Sequence, residues 1–127
     1  MPAIRVFLSF DHDHDVDLYE RMLEDSRRAG AGFEIVGHSA MRVSPTELRR
    51  CIAGVDQLIV LCGEHTDASE RVAAEVSLGQ EANLPCLMLW GRRSSMCTRP
   101  LGAARNGSMY TWARDIVREQ LTLAARK

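Results

Sequence analysis

Apolar positions along the chain follow two alternating rhythms. Residues 4–10, with Ile4, Val6, Phe7, Leu8 and Phe10, form a run rich in β-branched and aromatic side chains, which predicts a buried strand. Over residues 15–29 the period lengthens. Val16, Tyr19, Leu23 and Ser26 then share one face with Met22 and Ala29 beside it, while Asp17, Glu20, Glu24 and Arg28 make a solvated face. Gly30 and Gly32 end that helix. "FEIVG" predicts a short second strand, followed by a loop through Ser44 and Pro45. Thr46 to Ala53 reads as a short helix, and "QLIVLCG" as a central parallel strand buried on both faces. Ser69 to Ala82 is helical, with Val72, Val76 and Gly79 on one side, and "LPCLMLW" is the fourth strand. Residues 91–108 carry Gly91, Pro100, Gly102 and Gly107 without a clear period, which predicts a long loop with a short fifth strand near Met109. A last helix runs from about Thr111 to Ala125, turning Trp112, Ile116 and Leu123 inward.

Strand and helix alternate throughout. Right-handed crossovers between successive strands then predict an α/β domain over residues 1–127, with a parallel sheet of four or five strands and helices on both faces. Ligands of such sheets bind beyond the carboxyl ends of the strands, where the strand order reverses. "DHDHD", "GHSAMR", "GEHT" and "WGRR" all lie at those ends.

Composition narrows the chemistry. Hydrophobic residues at 46% and charged residues at 26% describe a folded chain, and 127 residues bury a core without disulfides or metals. A formal net charge of −1 provides no field to recruit nucleic acid or an acidic membrane, so neither is expected as a partner. Lys127 is the only lysine. Cys51, Cys62, Cys86 and Cys97 form no CxxC pair, and Cys62 and Cys86 lie in apolar runs as small hydrophobes. "MPAIRVFL" lacks the basic and long apolar regions of a secretory leader, which predicts a cytoplasmic protein.

The conspicuous polar stretch is "DHDHDVD", residues 11–17. Acids after a first strand hold magnesium in phosphoacceptor receivers, but that chemistry also needs an aspartate ending the third strand and a lysine near the last. Here the third strand ends "LCGEHT", and the lysine is absent from that position. His12 and His14 at i, i+2 are poorly spaced for one metal, and no later His/Cys cluster completes a set, so no metal is expected. Helix capping is the simpler reading. Asp15 or Asp17 satisfies free N–H groups, and Asp17 with Glu20 matches a capping box. By period alone Glu75 lies at the edge of a buried helix face. Glu64, Asp67, Glu70 and Glu81 stand nearby, and periodicity does not choose among them. The loop carrying Arg92, Arg93, Arg99 and Arg105 has no acid between Gly91 and Asn106, so its guanidinium forks suit a pyrophosphate, or simply solvent. Trp90 suits either stacking on a ring or packing.

Taken in order, "VFLSF" with acids after it, "VDQLIVLCGEHT", "SERVAAEV" and "NLPCLMLW" resemble a Toll/interleukin-1 receptor (TIR) domain. The likeness is greatest to the bacterial TIR-like proteins that include the sensor subunit of Thoeris antiphage systems. It covers most of residues 4–90 and the last helix, with "GSMYTW" a weaker landmark. The resemblance implies a flavodoxin-like three-layer sandwich. In the catalytic branch it also implies cleavage of the nicotinamide–ribose bond of NAD+, as substrate rather than cofactor, to an ADP-ribose-type signal read by a nucleotide-sensing effector. The family's catalytic glutamate precedes an aliphatic residue on the helix after the third strand, which places it at Glu75 in "AAEVS". The substrate wall would then be Phe10, Asp11 and His12, with Ser39, Arg42, Trp90 and Arg92 from the other strand ends. TIR relatives self-associate, so a homo-oligomer or an assembly with other TIR domains is implied. The chain departs from many relatives in carrying Arg71 where they have a tryptophan, and its loop after the second strand is short. Two other functions fit the same segments: a non-catalytic TIR scaffold, and a nucleoside deoxyribosyltransferase-like enzyme. The latter family approaches its glutamate through glycine, whereas "EHTDASERVAAE" has none.

Overall fold

A computed structural model describes residues 3–102 and 108–125. One sheet of five parallel strands organises them: β1 (Ile4–Ser9), β2 (Phe33–His38), β3 (Gln57–Cys62), β4 (Cys86–Trp90) and β5 (Met109–Thr111), in the order β2-β1-β3-β4-β5. The central strands read as continuous apolar runs because both their faces are covered, and every residue of β3 is buried. Side-chain alternation sends successive residues to opposite cores. Val6, Leu8, Ile59 and Leu61 face one cluster with Leu18, Met22, Val117 and Leu121. Phe7, Leu58, Val60 and Cys62 face the other, with Leu48, Ile52, Val72 and Val76.

Four helices supply those partners: α1 (Val16–Ser26), α2 (Pro45–Ala53), α3 (Glu70–Glu81) and α4 (Arg114–Ala125). The Ser44 hydroxyl caps α2 at the Glu47 N–H (3.2 Å), with Pro45 opening the helix. Ser69 caps α3 at the Val72 N–H (3.1 Å). Gly30 and Gly32, at φ +76° and +81°, turn the chain between α1 and β2 in the left-handed region open to glycine.

Three pattern readings are corrected. Helix α1 buries Leu18 and Met22, one turn apart, while Val16 in its first turn faces outward. Helix α4 starts later than expected because Thr111 belongs to β5, so its inward pair is Val117 and Leu121, and Leu123 is exposed. The capping box also fails. Asp15 holds the N-cap position of α1 but its side chain makes no cap hydrogen bond, and Asp17 lies inside the first turn. Both carboxylates go elsewhere.

Candidate functional site

The order β2-β1-β3 places the topological switch between β1 and β3, and a cleft of about 640 Å³ opens beyond the carboxyl ends of these strands. Asp11, His12, Ser39, Arg42, His65 and Arg71 are among the residues that line it.

Glu75 lies directly beneath. On α3 it belongs to the inward stripe Val72, Glu75, Val76 and Gly79, at i, i+3, i+4 and i+7, rather than at its edge. Its carboxylate is fully buried. Ser9, the last residue of β1, shares a sheet face with Phe7 and donates its hydroxyl to Glu75 Oε1 at 2.7 Å. Ser39, just past β2, donates to the same oxygen at 2.6 Å and accepts the Phe10 N–H at 2.9 Å. Arg71, one turn before Glu75, donates Nε–H to Oε2 at 2.8 Å and reaches the Met41 carbonyl at 3.3 Å. Three elements thus converge on one carboxylate. Burial pushes its pKa up, and the bonds from Ser39, Arg71 and Ser9 oppose that shift. Burial first, and then the Arg71 charge, hold His38 below the ordinary histidine value.

Asp11 is buried and organises the turn that follows β1. It accepts the Asp13 N–H at 3.1 Å and the His14 Nδ1–H at 2.7 Å. The His14 ring in turn lies against that of His65, with centroids 4.0 Å apart and the planes tilted by 32°. The two rings stand between the cleft and a second cavity of about 640 Å³, which includes Asp15, Asp17, Arg92 and Arg93 in its walls.

The sequence-derived candidates therefore separate. Asp11, His12, Ser39 and Arg42 line the cleft, and Glu75 underlies it. The Phe10 ring is fully buried in the core, stacked on Tyr19 at 5.2 Å, and its backbone N–H meets the site through Ser39. Trp90 packs against the core on the α2 and α3 side of the sheet and is not in the cleft wall. Arg92 lies outside this cleft's wall, and carboxylates occupy its fork. It binds Asp17 through both terminal nitrogens (3.0 and 2.8 Å), Asp15 at 2.9 Å and the His14 carbonyl at 3.1 Å. Arg105 lies outside the described residues. Two participants escaped the pattern reading. Ser9 was visible as the one polar residue interrupting "VFLSF", and Arg71 stood out only as a departure from relatives.

No sequence among the curated proteins matches the chain. Among solved structures, the TIR domain of the Toll-related receptor TRR-2 from Hydra magnipapillata matches with a TM-score of 0.65 at 13% identity. The match covers 96% of this chain and 98% of that one, a likeness of fold. The sheet order and both helical layers agree with that architecture. The family model "Thoeris protein ThsB, TIR-like domain" matches residues 7–95, which span β1 to β4 and all the cleft residues named above. The chain belongs to the Thoeris ThsB TIR-like domain family.

Proposed function

We infer that this domain cleaves the nicotinamide–ribose bond of NAD+, with Glu75 as the catalytic carboxylate and the ADP-ribose-type product as a signal in antiphage defence. The observation that carries this reading is a buried glutamate whose oxygens are held by Ser9, Ser39 and Arg71 directly under a strand-end cleft. In the reaction the C1′–N bond breaks and its electron pair moves to the nicotinamide nitrogen, cancelling the pyridinium charge. C1′ is left with oxocarbenium character, which a fixed anion and its hydroxyl contacts to the ribose stabilise. Water then adds to C1′ and loses a proton, giving ADP-ribose, nicotinamide and H+. Attack by a nucleophile of the substrate itself gives a cyclic product instead. Asp11, His12, Ser39 and Arg42 form the substrate wall, the product acts on a nucleotide-sensing effector, and assembly with further TIR domains completes the active form in the cytoplasm.

The second reading is a non-catalytic TIR scaffold, and the observation favouring it is the closure of Glu75 beneath its partners. Nicotinamide release from NAD+ by concentrated purified protein separates the two. Wild type should release it, and Glu75→Gln should lower the rate by about 100-fold or more while the circular dichroism spectrum stays unchanged. Equal turnover by the variant removes Glu75 from the mechanism. Absence of turnover, together with stable capture of another TIR domain, favours the scaffold.

A further inference from the structure

Arg71 sits between the cleft and the carboxylate. Its side chain is 37% exposed and forms part of the cleft wall, while Glu75 behind it is at 0%. The pair is joined by a single N–H···O bond from Nε, and NH2 reaches the Met41 carbonyl at the longer distance of 3.3 Å. Neither contact uses the paired-fork geometry in which a guanidinium holds an oxyanion most strongly. NH1 has no protein partner among the described residues. Arg92, by contrast, already has both terminal nitrogens committed to Asp15 and Asp17.

We propose that Arg71 is the phosphate-recognising residue of the cleft. A substrate phosphate takes the guanidinium over from Glu75 in a two-pronged contact, and that exchange uncovers the carboxylate for the ribose hydroxyls. The reading above supplies the identity of the substrate, while the exchange itself stands on the geometry of Arg71 and Glu75. A buried carboxylate stripped of its cation is costly unless another donor replaces it. Ser9 and Ser39 remain, and a ribose hydroxyl restores the lost donor. Phosphate and ribose therefore bind more tightly together than either does alone, so the site favours nucleotides over nucleosides and stays closed when empty. No covalent step is involved.

Calorimetric titration of the full chain with inorganic pyrophosphate tests the exchange without relying on catalysis. Arg71→Gln should weaken binding by about tenfold or more, and Arg71→Lys should keep part of it, because lysine retains the charge without the fork. Glu75→Gln should bind pyrophosphate several-fold more tightly than wild type, because no carboxylate then competes for Arg71. A purely structural role for the pair does not predict that gain. Thermal melts of each variant establish that it is folded, and Arg71→Lys decides the question if Arg71→Gln is not. The proposal is overturned if Glu75→Gln binds no more tightly than wild type, if Arg71→Gln binds as wild type does, or if no protein binds the probe. A wild type that never consumes NAD+ yet shows this pattern removes the catalytic reading and leaves the exchange standing. NAD+ turnover with a flat binding pattern does the reverse.

Discussion

At Glu75, position and protonation are linked. An acid whose folded pKa is raised binds its proton more tightly in the folded state, so ionising it works against folding. The associated stability is fully present below the ordinary glutamate value of 4.5 and is lost as pH rises through the raised folded value. A permanently neutral Glu75→Gln should therefore melt at a higher temperature than wild type at pH 7, with the difference closing as pH falls below the ordinary value. Melting curves over a pH series measure this. A variant less stable than wild type at neutral pH would show that the three hydrogen bonds outweigh burial. A site residue that is improved by neutralisation fits a position where stability has yielded to chemistry.

Among the elements, the loop after β4 is tied to the start of α1 by Arg92, and the tie depends on close approach at Gly63. A Cβ added there would lie 2.3 Å from Asp15 Oδ2, so only glycine lets that carboxylate settle against the end of β3. Burial pushes the Asp15 pKa up, against the pull of Arg92. The same guanidinium holds Asp17 below the usual carboxylate range. Arg92→Ala should destabilise the fold by about 2–3 kcal/mol, somewhat less than loss of a partner from a fully buried pair because Arg92 is itself part-exposed. Adding Asp15→Asn should recover most of that loss, and urea unfolding of the single and double variants gives the coupling. Additive losses would mean that the two residues act separately.

For the molecule as a whole, site and core share the same strands. β1 and β3 lie inside the sheet and carry the switch point at their carboxyl ends, whereas β5 is a three-residue edge strand paired only with β4. Leu58, Ile59 and Val60 are buried and pair on both sides. Their amides should exchange with deuterium only through global unfolding, and those of β5 much sooner. Exchange of β3 faster than the unfolding equilibrium allows would show that the centre of the sheet opens on its own. Rigid central strands also hold Ser9 in place, so the groups around Glu75 are positioned by the most stable part of the fold.

Local rules account for a good deal of this. Continuous apolar runs identified β1, β3 and β4, because a strand covered on both faces has no polar side to alternate with. The serine hydroxyls before α2 and α3 follow from capping chemistry that acts within four residues. The α/β class follows from the alternation itself, whereas local period does not single out Glu75 among its neighbouring acids, and only the family resemblance of "AAEVS" points to it. Convergence across 66 residues is another matter. The bond from Ser9 to Glu75, and the 77-residue pairing of Asp15 with Arg92, join groups that no periodicity connects. "DHDHDVD" divides for the same reason: Asp11 serves the turn and the cleft, while Asp15 and Asp17 serve a distant arginine. A carboxylate's partner depends on which charge the packing brings within about 3 Å, and packing belongs to the folded chain alone.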